Sequence, residues 1–150
     1  MRRAIELSVA NVRSGRGGPF GAVIAQDGRI IAEGVNLVTS TEDPTAHAEM
    51  NAIREACRTL GRFHLTGCDI YASCEPCPMC LGAIYWARLD RIFFAGSRSD
   101  AAEAGFSDAR IYEELSAPTG KRTIGMEQFL RDEALAAFDE WRNKQDRIDY

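Results

Sequence analysis

Two short strings, His47-Ala48-Glu49 and Pro76-Cys77-Pro78-Met79-Cys80, constrain the folding of this 150-residue chain more than any other feature. Each lies near the start of a predicted helix. One imidazole and two thiolates supply three soft or borderline ligands, a set that suits zinc and leaves one tetrahedral position for water. Cys77 and Cys80 are three residues apart, so around a helix start they point the same way. Pro78 suits the first helical turn, and the unpaired N–H groups there favour thiolate over thiol.

His47 and Glu49 are two residues apart, about 200° around an ideal helix, so they cannot both serve a site on the helix flank. Both can reach a site off the N-terminal end. Zinc held there lowers the pKa of a bound water toward about 7, and Glu49 can take that proton and return it to a departing group. This is equipment for hydrolytic deamination. Spacing alone leaves two rivals open. Cys74, Cys77 and Cys80 could belong to an iron–sulfur cluster, although Ile84 stands where the fourth cysteine would fall. Cys74 could also close a structural zinc site with Cys77, Cys80 and His47, making a non-catalytic binding module in which Glu49 has no role.

The cysteine count is odd, five in all, and the crowding at 74–80 favours metal or redox chemistry over a disulfide framework. Cys57 and Cys68 read as small buried side chains and His64 as a surface residue. The first helix carries Glu6, Asn11 and Arg13, unlike a signal peptide, and apolar runs such as Phe20 to Ala25 are far shorter than the roughly 18 residues of a membrane span. The cytosol is the expected location, with no membrane partner. Lys plus Arg number 18 against 22 Asp plus Glu, a net charge of -4, so a nucleic-acid partner is not expected, because phosphate neutralisation needs a basic surface.

No repeat of 20 to 50 residues runs through the chain, which reads as one domain, 1–150, with a helical tail at about 127–150. Ile5, Val9 and Val12 follow helical spacing up to the glycine-rich break before Pro19. Phe20 to Ala25 and Arg29 to Val35 read as strands around the Asp27-Gly28 turn. Asp43-Pro44-Thr45 opens a helix with its apolar stripe at Ala46, Met50, Ile53, Ala56 and Leu60, ending at Gly61. A strand at Asp69 to Ser73, a helix from Pro78 to Arg88 and a strand at Arg91 to Ala95 suggest a parallel crossover, hence an α/β architecture with helices over a mixed sheet. Helices are expected near Ile111 to Leu115 and Glu127 to Lys144, and the Ser116 to Gly125 segment between them reads as a hinge or a surface loop.

The pairing of H-x-E with P-C-x-x-C matches the signature of zinc nucleobase deaminases. The wider strings GGPFGAVI (17–24), DPTAHAEMNAIR (43–54), SCEPCPMCLGAIYWAR (73–88) and DAAEAGF (100–106), with Trp141-Arg142-Asn143 and the terminal Tyr150, resemble bacterial guanine deaminases of the cytidine-deaminase superfamily. The resemblance implies a three-layer α/β/α fold with a mixed five-stranded sheet. It implies one Zn2+ per subunit on His47, Cys77 and Cys80, with Glu49 as proton carrier. It places Asn36 and Asp108 as readers of a purine base, Asp108 also as a second proton carrier, Phe20 as a stacking ring and Ala48 beside them. Trp86 and the tail ending in Tyr150 would close the site of a neighbouring subunit, in a homodimer that exchanges its C-terminal segments. Residues 125–138 and 144–149 match that pattern loosely.

Taken by themselves, Asn36 reads as a turn residue, Phe20 and Trp86 as core aromatics, and Asp108 as the cap of a helix beginning near Ala109. Guanine is the expected substrate. Guanosine, cytosine, an aminotriazine such as ammeline and adenosine in tRNA are the alternatives.

Overall fold

A computed structural model describes residues 1–149, and Tyr150 lies outside the described residues. The chain divides into two compact units, Met1–Asp108 and a second from Ala109 onward. The first unit begins with α1 (Arg2–Arg13), β1 (Gly21–Gln26), β2 (Arg29–Val35), the short α2 (Val38–Thr41) and α3 (Ala48–Leu60). It continues with β3 (Cys68–Cys74), α4 (Pro78–Trp86), β4 (Arg91–Gly96) and α5 (Arg98–Glu103). The second holds α6 (Ala109–Ser116), a 3-10 turn (Thr119–Lys121) and α7 (Arg131–Asn143).

The sheet runs β2-β1-β3-β4, antiparallel except for the β3–β4 pair, which the α4 crossover makes parallel. It has four strands among the described residues, where the resemblance implied five. The sequence beyond β4 supplies the reason. Ser97 and Asp100 form a reciprocal capping box that starts α5, and farther on Pro118, Gly120 and Gly125 interrupt the stretch between α6 and α7. The Asp27-Gly28 turn joins β1 to β2 with φ of 50° and 74°, the left-handed pair that a two-residue hairpin requires.

Helices α1 and α3 cover opposite faces of this sheet. A Cβ on Gly21 would meet the Ala4 carbonyl oxygen at 2.4 Å and the Ser8 nitrogen at 2.8 Å, so β1 and α1 touch backbone to backbone. Only small or polar side chains fit that seam, and α1 buries Ala4, Ser8 and Asn11. The apolar positions that follow helical spacing, Ile5, Val9 and Val12, lie on the exposed side instead. Close approach of the backbones, more than hydropathy, selects the face.

The main core fills the other side of the sheet. Ala22, Ile24, Ala32 and Ile70 meet Ala48, Ala52, Ile53 and Ala56 of α3 and Ile84 of α4. The α3 stripe is correspondingly alanine-rich, and Met50 and Leu60 are only half-buried. Gly61 ends α3 in the left-handed conformation at φ 64°. No helix of the described residues is long and apolar enough to cross a membrane.

Candidate active site

Two helix starts converge on one point. His47 is the N-cap of α3 and Cys77 the N-cap of α4, both with extended backbone, while Pro78 takes the first turn of α4. The α3 start lies at Ala48, later than Asp43-Pro44-Thr45, because those residues form a separate turn in which Asp43 accepts hydrogen bonds from the Thr45 amide and hydroxyl, both at 2.7 Å. That turn leaves His47 extended, its ring off the helix end.

His47 Nδ1 lies 3.6 Å from Cys77 Sγ and 3.5 Å from Cys80 Sγ, and all three ligand atoms are within 4.8 Å of one another. A tetrahedral ion with Zn–S of about 2.3 Å and Zn–N of about 2.0–2.1 Å requires an S···N edge of about 3.6 Å. The donor set therefore fits zinc in both chemistry and spacing. Cys74 stays outside the cluster, its thiol directed at the Ser97 carbonyl 3.5 Å away. This disfavours a closed four-ligand site and a three-cysteine cluster alike.

The electrostatics agree with thiolate ligation. A hydrogen bond from the Cys80 thiol, and then His47, hold the Cys77 thiol down to about 4. Cys80, the proton donor of the pair and deeply buried, is pushed far up. The hydrogen bond with Cys77 raises His47. Glu49, in the first turn of α3, is 7% exposed; burial lifts its carboxyl above the ordinary range, and the nearby Cys77 charge adds to the effect. A carboxyl so placed exchanges protons more readily near neutrality than a solvated glutamate does.

Backbone hydrogen bonds bring two other expected residues alongside. The Asn36 amide donates to the Phe20 carbonyl at 3.1 Å, and the Leu37 amide to the Ala46 carbonyl at 2.9 Å, linking Phe20, Asn36 and the residue before His47. Phe20 meets Phe106 edge-on with centroids 5.0 Å apart, and Ala48 is buried at the base of α3. Trp86, at the end of α4, is 68% exposed, so it is not a core aromatic. Asp108 is half-buried and immediately precedes α6. Tyr150 falls outside the described residues. Cys68 is fully buried and Cys57 half-buried, and His64 is half-buried rather than on the surface, its ring edge-on to Phe63. Sequence reasoning passed over Gly34, whose lack of a side chain lets β2 approach the backbone of Ala48 and Ala52 in α3; a glycine inside an otherwise apolar strand was the available signal.

Residues 1–96 match the cytidine and deoxycytidylate deaminase zinc-binding region. The chain belongs to the cytidine and deoxycytidylate deaminase family. Within it, the chain is 54% identical over 150 residues to the guanine deaminase of Bacillus subtilis strain 168, covering 100% of this chain and 96% of that one. The crystal structure of a guanine deaminase from Bacillus subtilis superposes with a TM-score of 0.97 over 99% of this chain and 95% of that one. A tRNA-specific adenosine deaminase of Aquifex aeolicus is 37% identical over 126 residues, covering 84% of this deaminase-family chain and 81% of its own.

Proposed function

We propose that the protein is a zinc-dependent aminohydrolase that converts guanine and water to xanthine and ammonia. The observation that carries the reading is the His47, Cys77 and Cys80 cluster beside a buried carboxylate, in a chain 54% identical over its whole length to a guanine deaminase. His47, Cys77 and Cys80 hold the metal. Zinc, when bound, supplies the Lewis acidity that makes water a nucleophile near neutral pH. With the metal bound, Glu49 would accept a proton from the attacking water, deliver it to a ring nitrogen of the base, and transfer the second proton to the departing amine. Its burial keeps bulk water from competing for the proton. Phe20 stacks on the base, Ala48 lines the site, Asn36 hydrogen-bonds to the base, and Asp108 serves as a second proton carrier.

The partner is a second copy of the chain. In the first unit, Tyr85, Trp86, Phe93 and Phe94 leave 37–75% of their surface exposed around the open edge of β4, more apolar surface than a lone soluble chain usually presents. In the second unit, Ile111, Leu115, Ile124 and Phe129 are likewise exposed. Exchange of the 127–150 tail between two copies, with Trp86 and Tyr150 closing the neighbouring site, accounts for both. We place the enzyme in the cytosol, in keeping with its five free cysteines.

Ammonia release from guanine, guanosine, cytosine, ammeline and tRNA by the zinc-loaded protein tests the substrate. Guanine is expected to lead the panel, and purified protein with stoichiometric zinc that leaves guanine intact overturns the assignment. Removal of residues 144–150 is expected to lower turnover while zinc stays bound; unchanged kinetics would exclude a closing role for the tail.

A further inference from the structure

Asn11 sits on the buried face of α1, with 0% of its surface exposed. Its Nδ2 donates to two carbonyls, that of Gly18 at 2.9 Å and that of Asn36 at 2.7 Å. Its Oδ1 is buried without a partner among the described residues. A half-satisfied amide is a costly occupant of a helix seam that otherwise takes Ala4 and Ser8, so its donor function calls for a reason.

The two carbonyls it holds supply one. Gly18 and Asn36 face each other across the mouth of the β1–β2 hairpin, and the Asn36 side chain spans the gap. Its Oδ1 accepts from the Gly18 amide and from the Val38 amide, both at 3.3 Å. A Cβ on Gly17 would lie 2.1 Å from the Asn36 carbonyl oxygen, so that carbonyl is enclosed by Gly17 on one side and the Asn11 amide on the other. With Oδ1 occupied by two N–H donors, Asn36 cannot turn its amide over. The end left for a ligand is Nδ2, a donor, which no acceptor among the described residues satisfies.

We propose that Asn11 is a positioning residue of the base site: by tying the Gly18 and Asn36 carbonyls together it fixes Asn36 as a hydrogen-bond donor toward an acceptor atom of the base. The inference rests on the reading of the site as one that binds a purine base. Asn11 touches no substrate and acts only through Asn36.

The test is a double-mutant cycle on the zinc-loaded protein with Asn11→Ala, Asn36→Ala and the double variant. Asn11→Ala is expected to raise KM for guanine about tenfold with kcat within about twofold, the pattern of lost binding without lost chemistry. The double variant is expected to be no worse than Asn36→Ala alone, within about twofold, because Asn11 has nothing left to position. Zinc content and the circular dichroism spectrum are expected to match the unmodified protein. Losses that multiply across the cycle, or a fall in kcat or zinc content with KM unchanged, overturn the proposal and leave Asn11 a packing residue. Asn11→Ser, whose short hydroxyl cannot span both carbonyls, carries the same cycle where the alanine variant yields too little folded protein. An unmodified protein inactive on guanine overturns the substrate reading instead, and the cycle then runs on whichever panel substrate is turned over.

Discussion

A Cβ on Gly34 would lie 2.1 Å from the carbonyl oxygen of Ala48 and 2.5 Å from the nitrogen of Ala52, so β2 and the first turn of α3 are in backbone contact. That contact sets the height of the α3 N-terminus above the sheet, and with it the positions of His47 and Glu49. Gly34→Ala has no flexible neighbour to displace. It is expected to destabilise the fold by about 1–3 kcal/mol or more, the range for overpacking, and to weaken zinc retention by moving His47 off the two sulfurs. Urea unfolding with metal content after dialysis reads both. A variant of unchanged stability and full zinc occupancy would show that the helix start is set elsewhere.

Glu49 is a buried carboxylate that lies outside the ligand group of His47, Cys77 and Cys80 among the described residues. Glu49→Gln keeps size and polarity but cannot carry a proton. It is expected to retain stoichiometric zinc and to lose turnover by about 10²–10⁴-fold, the usual worth of a positioned acid–base group. Full turnover in this variant would remove the mechanism.

The five thiols separate by environment, and alkylation of the zinc-free protein can tell them apart. The Cys77 thiol lies at about 4, so its thiolate fraction is already complete at neutral pH and falls only as pH drops toward that value. Burial pushes Cys57 and Cys74 up from the ordinary thiol range, so their thiolate fraction grows throughout the alkaline range. Iodoacetamide is expected to label Cys77 first, at a rate flat between pH 6 and 9, while Cys57 and Cys74 react faster as pH rises. Restored zinc is expected to protect Cys77. Peptide mass mapping reads the order, and a Cys77 rate that climbed with pH like the others would contradict the assigned thiolate.

The His47, Cys77 and Cys80 cluster was legible because helix capping is local: Pro after Cys77 and a two-residue gap between His47 and Glu49 can each be read without the fold. The β1–β2 turn and the end of α3 were legible, since Asp27-Gly28 and Gly61 mark them by backbone conformation alone. The face of α1 was not, because the Ala4, Ser8 and Asn11 seam is dictated by Gly21 on another element. The fourfold sheet order and the α5 capping box were equally out of reach of periodicity, α5 being a six-residue helix. Asn11 read as an interruption of an apolar helix, because its two carbonyl partners are brought to it only by the closed hairpin.

Asp69 and Arg91 pair side by side at the start of the parallel β3–β4 ladder, with Nε to Oδ1 at 2.8 Å and Nη2 to Oδ2 at 2.5 Å. The Arg91 guanidinium holds the Asp69 carboxyl below the ordinary carboxylate range. A depressed folded-state pKa stabilises the fold above the unfolded value of 3.8 and loses that contribution as pH falls through the folded one. Arg91 is mostly exposed, so solvent screening keeps the pair's contribution small. Arg91→Ala is therefore expected to lose a small but measurable amount of stability in urea at pH 7, and the loss should shrink toward zero once Asp69 is protonated in strong acid. A deficit that persisted undiminished in acid would point to the packing of the Arg91 guanidinium over Phe93, 5.3 Å from its centroid, as the larger contribution.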